Sequence, residues 1–247
     1  MHKSVKFLND KICLNVLSHD KENAKEIYEV TQGHVLIGML SKNYETNEQA
    51  ITAMSDLSVN INGALSIGLG AGDPKQWKMV AELAGELQAP HVNQICTATG
   101  FTRARLGQDE TIVNALVGPT GRPGYVNMAT GYLSQEKVAT EVPIETAIAM
   151  LKEMGASSVK FFPMNGLETI EEYKAVCEAC AQENFMIEPT GGITLDNFKE
   201  IIKIAIDAKV PKVIPHVYSS IIDKETGLTR IEDVKKLYEV MKEVSKA

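Results

Sequence analysis

One lysine stands inside an otherwise apolar run, Ser157-Ser158-Val159-Lys160-Phe161-Phe162-Pro163, and twenty-nine residues after it begins Pro189-Thr190-Gly191-Gly192-Ile193. Burying an ammonium is costly, so desolvation lowers its pKa and leaves free amine, the form that attacks ketones. Burial of this kind is the usual preparation for Schiff-base catalysis. A glycine pair between a strand end and a helix bares backbone N–H groups where a phosphate docks. Lys160 for a carbonyl and Gly191 with Gly192 for a phosphate, a strand apart, point to an aldolase acting on a phosphorylated sugar acid.

Strand parity orients these groups. Side chains alternate faces, so Ser158, Lys160 and Phe162 share one face and Val159 and Phe161 the other. Val159 and Phe161 suit outer helices, which turns Lys160 inward. On the next strand Ile187 packs outward, and Glu188 and Thr190 face in. Lys160 and Glu188 become cross-strand neighbours. In aldol cleavage the lysine condenses with a C2 ketone, and a base takes the C4 hydroxyl proton. Glu188 is the expected base; the competing reading is a buried ion pair with Lys160.

Those groups need a scaffold of repeated strands. Beta-type runs occur at 11–18, 34–40, 64–68, 91–97, 125–130, 157–163, 186–190 and 212–219, with amphipathic helical patterns between most of them. Thr46-Asn47-Glu48-Gln49, Thr169-Ile170-Glu171-Glu172 and Thr229-Arg230-Ile231-Glu232 fit the capping box, and Asp73-Pro74 gives a further helix start. Eight such units predict an α/β fold, a (β/α)8 TIM barrel of parallel strands, as a single domain over 1–247. An open doubly wound sheet is the alternative. The stretch 100–124 is expected as an irregular excursion after the fourth strand, with a hairpin leading into the fifth.

Composition narrows the partners. The 247-residue chain is 44% hydrophobic and 23% charged, ordinary for a globular protein, and its net charge of -7 argues against nucleic acid or an anionic membrane surface. No apolar run reaches membrane-span length, and Met1-His2-Lys3-Ser4-Val5-Lys6 leads into no signal-peptide core, so a cytoplasmic protein is expected. Cys13, Cys96, Cys177 and Cys180 have no scaffold spacing; Cys177 and Cys180 fall in the body of a helical pattern, not at its start where redox pairs sit. No metal-ligand cluster stands at the strand ends, so neither metal nor cofactor is expected.

The Lys-Phe-Phe-Pro and Pro-Thr-Gly-Gly-Ile runs together resemble the 2-keto-3-deoxy-6-phosphogluconate and 4-hydroxy-2-oxoglutarate aldolases, class I enzymes on a (β/α)8 barrel. The layout most resembles the KDGP aldolase family linked to glucosaminate degradation. The motifs cover about a third of the chain. The resemblance implies that Lys160 forms the Schiff base, Phe162 lines the pocket, and Gly191 and Gly192 bind phosphate. The first of those groups carries a catalytic Glu on its second strand and an Arg four residues on; here Gly38 and Lys42 stand in those places. Lys42 is therefore expected at the substrate carboxylate, with Arg103 and Arg105 competing for it. Ser219 and Ser220, after the eighth strand, suit the phosphate, since barrel phosphate sites join the loops after strands seven and eight. His216 fits either a phosphate or proton-transfer role or a plain core histidine, and His34 and His91 are expected to be structural.

The resulting expectation is cleavage of 2-dehydro-3-deoxy-6-phosphogluconate to pyruvate and glyceraldehyde 3-phosphate by a homo-oligomer. Its rivals are an aldolase for 4-hydroxy-2-oxoglutarate or another 2-keto acid, a phosphosugar epimerase, and a barrel that only binds a sugar phosphate.

Overall fold

In the computed structural model, which describes residues 4–246, seven parallel strands curl into one sheet in the order β1 (Leu14–Leu17), β2 (Val35–Leu40), β3 (Leu65–Gly68), β4 (His91–Ile95), β5 (Ile112–Val117), β8 (Ser158–Phe161) and β9 (Met186–Pro189). Met1 to Lys3, part of the N-terminal stretch read above, lie outside the described residues, as does Ala247. A small antiparallel pair, β6 (Tyr125–Val126) with β7 (Val142–Pro143), stands apart. Eight helices are described: α1 (Lys21–Val30), α2 (Asn47–Asn60), α3 (Trp77–Leu87), α4 (Thr99–Leu106), α5 (Ile144–Glu153), α6 (Ile170–Gln182), α7 (Phe198–Asp207) and α8 (Ile231–Val244). None is long and apolar enough to cross a membrane.

Residues 212–217 run between β9 and β1 and bond to both. Val213 bridges Ile12 and Ile187, and His216 bridges Asn15 and Thr190, each in parallel sense. The expected strand at 212–219 is reduced to these bridges because Pro215 has no amide to donate to a ladder.

The fifth strand differs from the sequence expectation. It is Ile112–Val117, and the run at 125–130 contributes only the short β6. Val113, Ala115 and Val117 are buried against the helices while Asn114 and Leu116 are buried on the other face. A strand covered on both faces reads as a nearly continuous apolar run, as this one does. The irregular excursion accordingly falls between β5 and α5, and most of the stretch expected to be irregular is α4 and β5.

Helix starts also show competition for polar groups. Thr46 caps α2, its hydroxyl accepting from the Gln49 amide at 3.3 Å. Glu172, the expected partner of Thr169, instead accepts from the amides of Thr120 and Gly121 at 2.7 and 3.0 Å and pins the turn after β5 to α6. Thr229 donates to the Leu17 carbonyl at 2.7 Å, so α8 starts from Arg230. Cys177 and Cys180 lie buried inside α6, and burial pushes the Cys177 thiol up to about 12.

Strand alternation sorts the interior into three layers. Cys13, Leu36 and Ile214 form an apolar plug beneath the strand starts, covered by Phe7 and Ile112. Above it lies a fully buried polar layer from six elements: Asn15, Ser66, His91, Asn114, Ser158 and Glu188. At the C-terminal strand ends, Leu17, Leu40, Leu116, Lys160 and Thr190 border open space. Buried polar groups need hydrogen-bond partners, and how the middle layer finds them determines the site.

Candidate active site

Glu188 is the centre of the polar layer. Its carboxylate accepts from Ser158 Oγ at 2.6 Å, Asn114 Nδ2 at 2.7 Å, His216 Nε2 at 2.7 Å and His91 Nε2 at 3.1 Å. A carboxylate offers about four lone-pair directions, and all are taken. Burial alone would raise its pKa; the charge of His91 and the hydrogen bonds from His216 and His91 outweigh it and hold the carboxyl well below the usual range. Glu188 is thus a permanent anion. The register sets Lys160 opposite Glu188, as parity required. The expected base, however, does not line the cavity, and no ion pair joins it to Lys160.

Lys160 turns upward instead. Its Nζ donates to Asn93 Oδ1 at 2.8 Å and lies 3.5 Å from His216 Nδ1. Burial lowers the amine pKa to about 8, with the charge of Glu188 opposing. Protein surrounds the side chain on all sides but one, where it keeps some exposure toward a cavity of about 480 Å3. The amine therefore sits where a ketone can reach it, with about a tenth of it free at pH 7, far more than for an ordinary lysine. Reaction of this amine with pyruvate, measured as adduct formation at saturating borohydride, should accelerate with pH through a midpoint near 8; a midpoint near the ordinary lysine value of about 10.4 would remove desolvation as the cause.

The loops around the cavity are built on glycine. Gly191 and Gly192 take φ of +102° and +68°. A Cβ on Gly192 would lie 2.3 Å from the Gly166 amide nitrogen, and that amide is fixed by a 3.0 Å bond to the Gly191 carbonyl. Only glycine fits, and the loops after β8 and β9 are laced together. Replacing Gly192 by alanine should cost at least about 1–3 kcal/mol, read as a lowered thermal midpoint. Gly70 also has positive φ, +96°, and the stem of Lys42 lies where its Cβ would be.

The other expected residues divide. Lys42, Phe162, Thr190, Gly191, Gly192 and Ser219 all border the cavity. Ser220 does not, and its hydroxyl is spent on the Ile193 carbonyl at 2.7 Å, tying the last two loops together. Arg103 is elsewhere: in the last turn of α4, its guanidinium donates to the carbonyls of Gly155, Gln108 and Thr111 and to Ser157, near the strand starts. A carboxylate in the cavity is out of its reach.

With this geometry the sequence can be placed. It matches the KDGP aldolase family over residues 8–225. The chain belongs to that family. A curated relative, the 2-dehydro-3-deoxy-phosphogluconate aldolase of Salmonella typhimurium (strain 14028s / SGSC 2262), is 42% identical over 244 residues, covering 97% of this chain and 98% of the relative. Among solved structures, TrpF from Jonesia denitrificans aligns with a TM-score of 0.56 at 13% identity, over 95% of this chain and 98% of that one. The carboxyl transferase domain of Rhizobium etli pyruvate carboxylase with pyruvate aligns with a TM-score of 0.55 at 11% identity, over 98% of this chain and 52% of that one. Those two likenesses concern the fold. Family membership makes the chain an aldolase, a carbon–carbon lyase.

For an aldolase of this family, several contributing residues carried no sequence signal. Asn93, which holds the Lys160 amine, and Asn114, which bonds both Asn93 Oδ1 and Glu188, are asparagines inside strands, the second in an otherwise apolar one. An inward polar residue at a strand position was the available clue. His91 begins its strand as read, yet it belongs to the Glu188 network and not to a solvent-facing end. His91, Glu188 and His216 bring ligand-type atoms within 4.8 Å of one another, a spacing that suits a metal ion. Here each imidazole Nε2 already faces the carboxylate, and Ser158 and Asn114 occupy its remaining directions. The hydrogen-bond set closes on itself.

Proposed function

We propose that this protein is a class I aldolase that cleaves 2-dehydro-3-deoxy-6-phosphogluconate to pyruvate and glyceraldehyde 3-phosphate through an imine on Lys160. The observation that carries the reading is the Lys160 amine itself: lowered to about 8 by burial, anchored through a neutral Asn93 oxygen, and open to the cavity at the strand ends. The name of the Salmonella relative agrees with the substrate. Residues 212–217 act as the eighth strand of a closed (β/α)8 barrel, and the chain forms one domain.

Substrate lies across the cavity. Its C2 ketone meets Lys160, with Phe162 against the carbon chain, and its carboxylate pairs with the Lys42 ammonium. The phosphate reaches the loops after β9 and after residue 217, where the amides of Gly191, Gly192 and Ile193 face no protein acceptor among the described residues and Ser219 and Thr190 add hydroxyls. Two glycines with positive φ in sequence turn consecutive amides toward one point, which suits an anion. The enzyme works in the cytoplasm as a homo-oligomer and needs no cofactor.

Incubation with pyruvate and sodium borohydride tests the chemistry. A single reduced pyruvate adduct on the peptide containing Lys160 is expected. A folded protein that gains no mass with pyruvate in excess would exclude the imine. Loss of catalytic efficiency when the phosphate is removed from the substrate tests the second half of the site; equal efficiency would favour a short 2-keto acid without phosphate.

A further inference from the structure

Cleavage of the C3–C4 bond needs a group that removes the C4 hydroxyl proton, and no carboxylate lines the cavity among the described residues. The titratable groups there are Lys42, Lys160, His216 and Tyr218. Lys160 is consumed as the imine. Lys42 is an exposed ammonium and a donor only. Burial raises the Tyr218 phenol, with the charge of Glu188 adding to it, so Tyr218 does not ionise in the working range. His216 remains.

Its surroundings fix its tautomer. Nε2 lies 2.7 Å from Glu188 Oε2, and a carboxylate only accepts, so Nε2 carries a proton. Nδ1 is then the lone pair, 3.5 Å from Lys160 Nζ and 2.8 Å from the Tyr218 hydroxyl. Tyr218 has two acceptors for its one hydrogen, His216 Nδ1 and, at 3.1 Å, Asn15 Oδ1. Asn15 is oriented for this because its amide donates to Ser66 Oγ at 3.1 Å. Two hydrogen-bond patterns follow. With His216 neutral, Tyr218 donates to Nδ1. With Nδ1 protonated, the imidazolium donates to Tyr218, and Tyr218 swings its hydrogen to Asn15. Protonation of Nδ1 gives Asn15 Oδ1 the Tyr218 donor that it lacks in the neutral pattern, and the Glu188 anion lies against the imidazolium.

We propose that His216, oriented by Glu188 and backed by Tyr218, takes the proton from the substrate's C4 hydroxyl and returns it to C3. The inference rests on the imine reading above. As the C3–C4 bond breaks, its electron pair enters the C2–C3 bond and neutralises the iminium nitrogen of Lys160. The C4 oxygen becomes the aldehyde carbonyl, and its proton passes to His216 Nδ1. The enamine then takes that proton at C3, restoring the iminium, and water releases pyruvate. Protons and charge balance without another reactant. Glu188, Lys160, Tyr218 and His91 are the titratable groups facing His216. Burial, with the charge of Lys160 next, lowers the imidazole to about 3, which keeps it in the base form; the opposing Lys160 charge vanishes in the enamine, when the imidazole must hold its proton. Glu188 acts through His216 and is a positioning residue.

Exchange of the pyruvate methyl hydrogens in D2O reports proton transfer at C3, and borohydride trapping reports the imine independently. In His216→Asn the adduct on Lys160 should persist while exchange and aldol cleavage fall about 10²–10⁴-fold. Exchange within about threefold of the unaltered protein, against that expectation, would overturn the assignment and leave the imine standing. Absence of an adduct in the unaltered protein would overturn both. Tyr218→Phe, which keeps the ring in place, carries the test if His216→Asn does not fold. It should slow exchange and lower kcat by about tenfold, the size of a weakened proton-transfer contribution, with KM little changed. Equal exchange rates in Tyr218→Phe and the unaltered protein would count against the relay.

Discussion

Lys160→Met is expected to abolish cleavage, by at least about 10⁴-fold, and to leave the protein as stable as before or more so. The two outcomes come from one cause. Methionine matches the lysine stem in length but offers no amine, so the imine route we propose is closed while the cavity keeps its shape. Asn93 Oδ1 retains the Asn114 amide at 2.8 Å, so the substitution orphans no buried acceptor. On the stability side, a lysine whose folded pKa of about 8 lies below its unfolded value near 10.4 binds fewer protons when folded between those values. Stability therefore rises with pH across that window, and the cost of the ammonium is complete below it. The stability advantage of Lys160→Met should be greatest at pH 7 and fade above about pH 10.5. Chemical denaturation at the two pH values checks this, and a variant clearly less stable at pH 7 would show that the ammonium contributes contacts beyond the Asn93 bond.

The placement of Lys160 and of the glycine pair could be read from sequence because the signals are local. Lys160 stands alone in an apolar run, so its inward direction and its register against Glu188 follow from alternation. The glycines at 191 and 192 are legible for the same reason, since positive φ and a close approach leave no other residue a place. What sequence could not give is where side chains of similar reach end up. Glu188 was correctly turned inward, but its bonding is decided by His91, Asn114, Ser158 and His216, which come from four other elements. Arg103 shows the same limit: it was read in an irregular excursion, whereas it lies in α4 and its donors are absorbed by carbonyls of other loops. The fifth strand was misplaced because a short apolar run and a short turn-flanked run look alike until burial on both faces tells them apart.

Glu188→Ala should destabilise the protein by about 3–5 kcal/mol, the range for removing one partner from a buried charged network. In a chain of this length that corresponds to a thermal midpoint lower by roughly 6–20 °C. The loss has an identifiable composition. Four donors, from Ser158, Asn114, His216 and His91, lose their acceptor in a place water does not reach, and each pays separately for an unmade bond. Glu188→Gln keeps the volume and one carbonyl oxygen but sets an amide donor against donors, so at least one imidazole must change tautomer; a smaller loss of about 1–3 kcal/mol is expected. The pH dependence separates this account from simple loss of packing. The Glu188 carboxyl is held well below the usual range when folded, so its stabilisation is complete above the unfolded value near 4.3 and is lost as pH falls toward the folded one. His216 acts in the same sense: its folded pKa of about 3 lies below the unfolded 6.5, so stability falls as pH drops between them. Glu188→Ala removes the first contribution; it also removes the Glu188 interactions that raise the imidazole, which lowers the folded His216 value further and leaves that group neutral over the same range. The stability gap between the variant and the unaltered protein should therefore hold from pH 7 to about pH 5 and narrow below about pH 4, and a gap that stayed constant to pH 3 would mean that side-chain volume, not the carboxylate charge, holds the layer together.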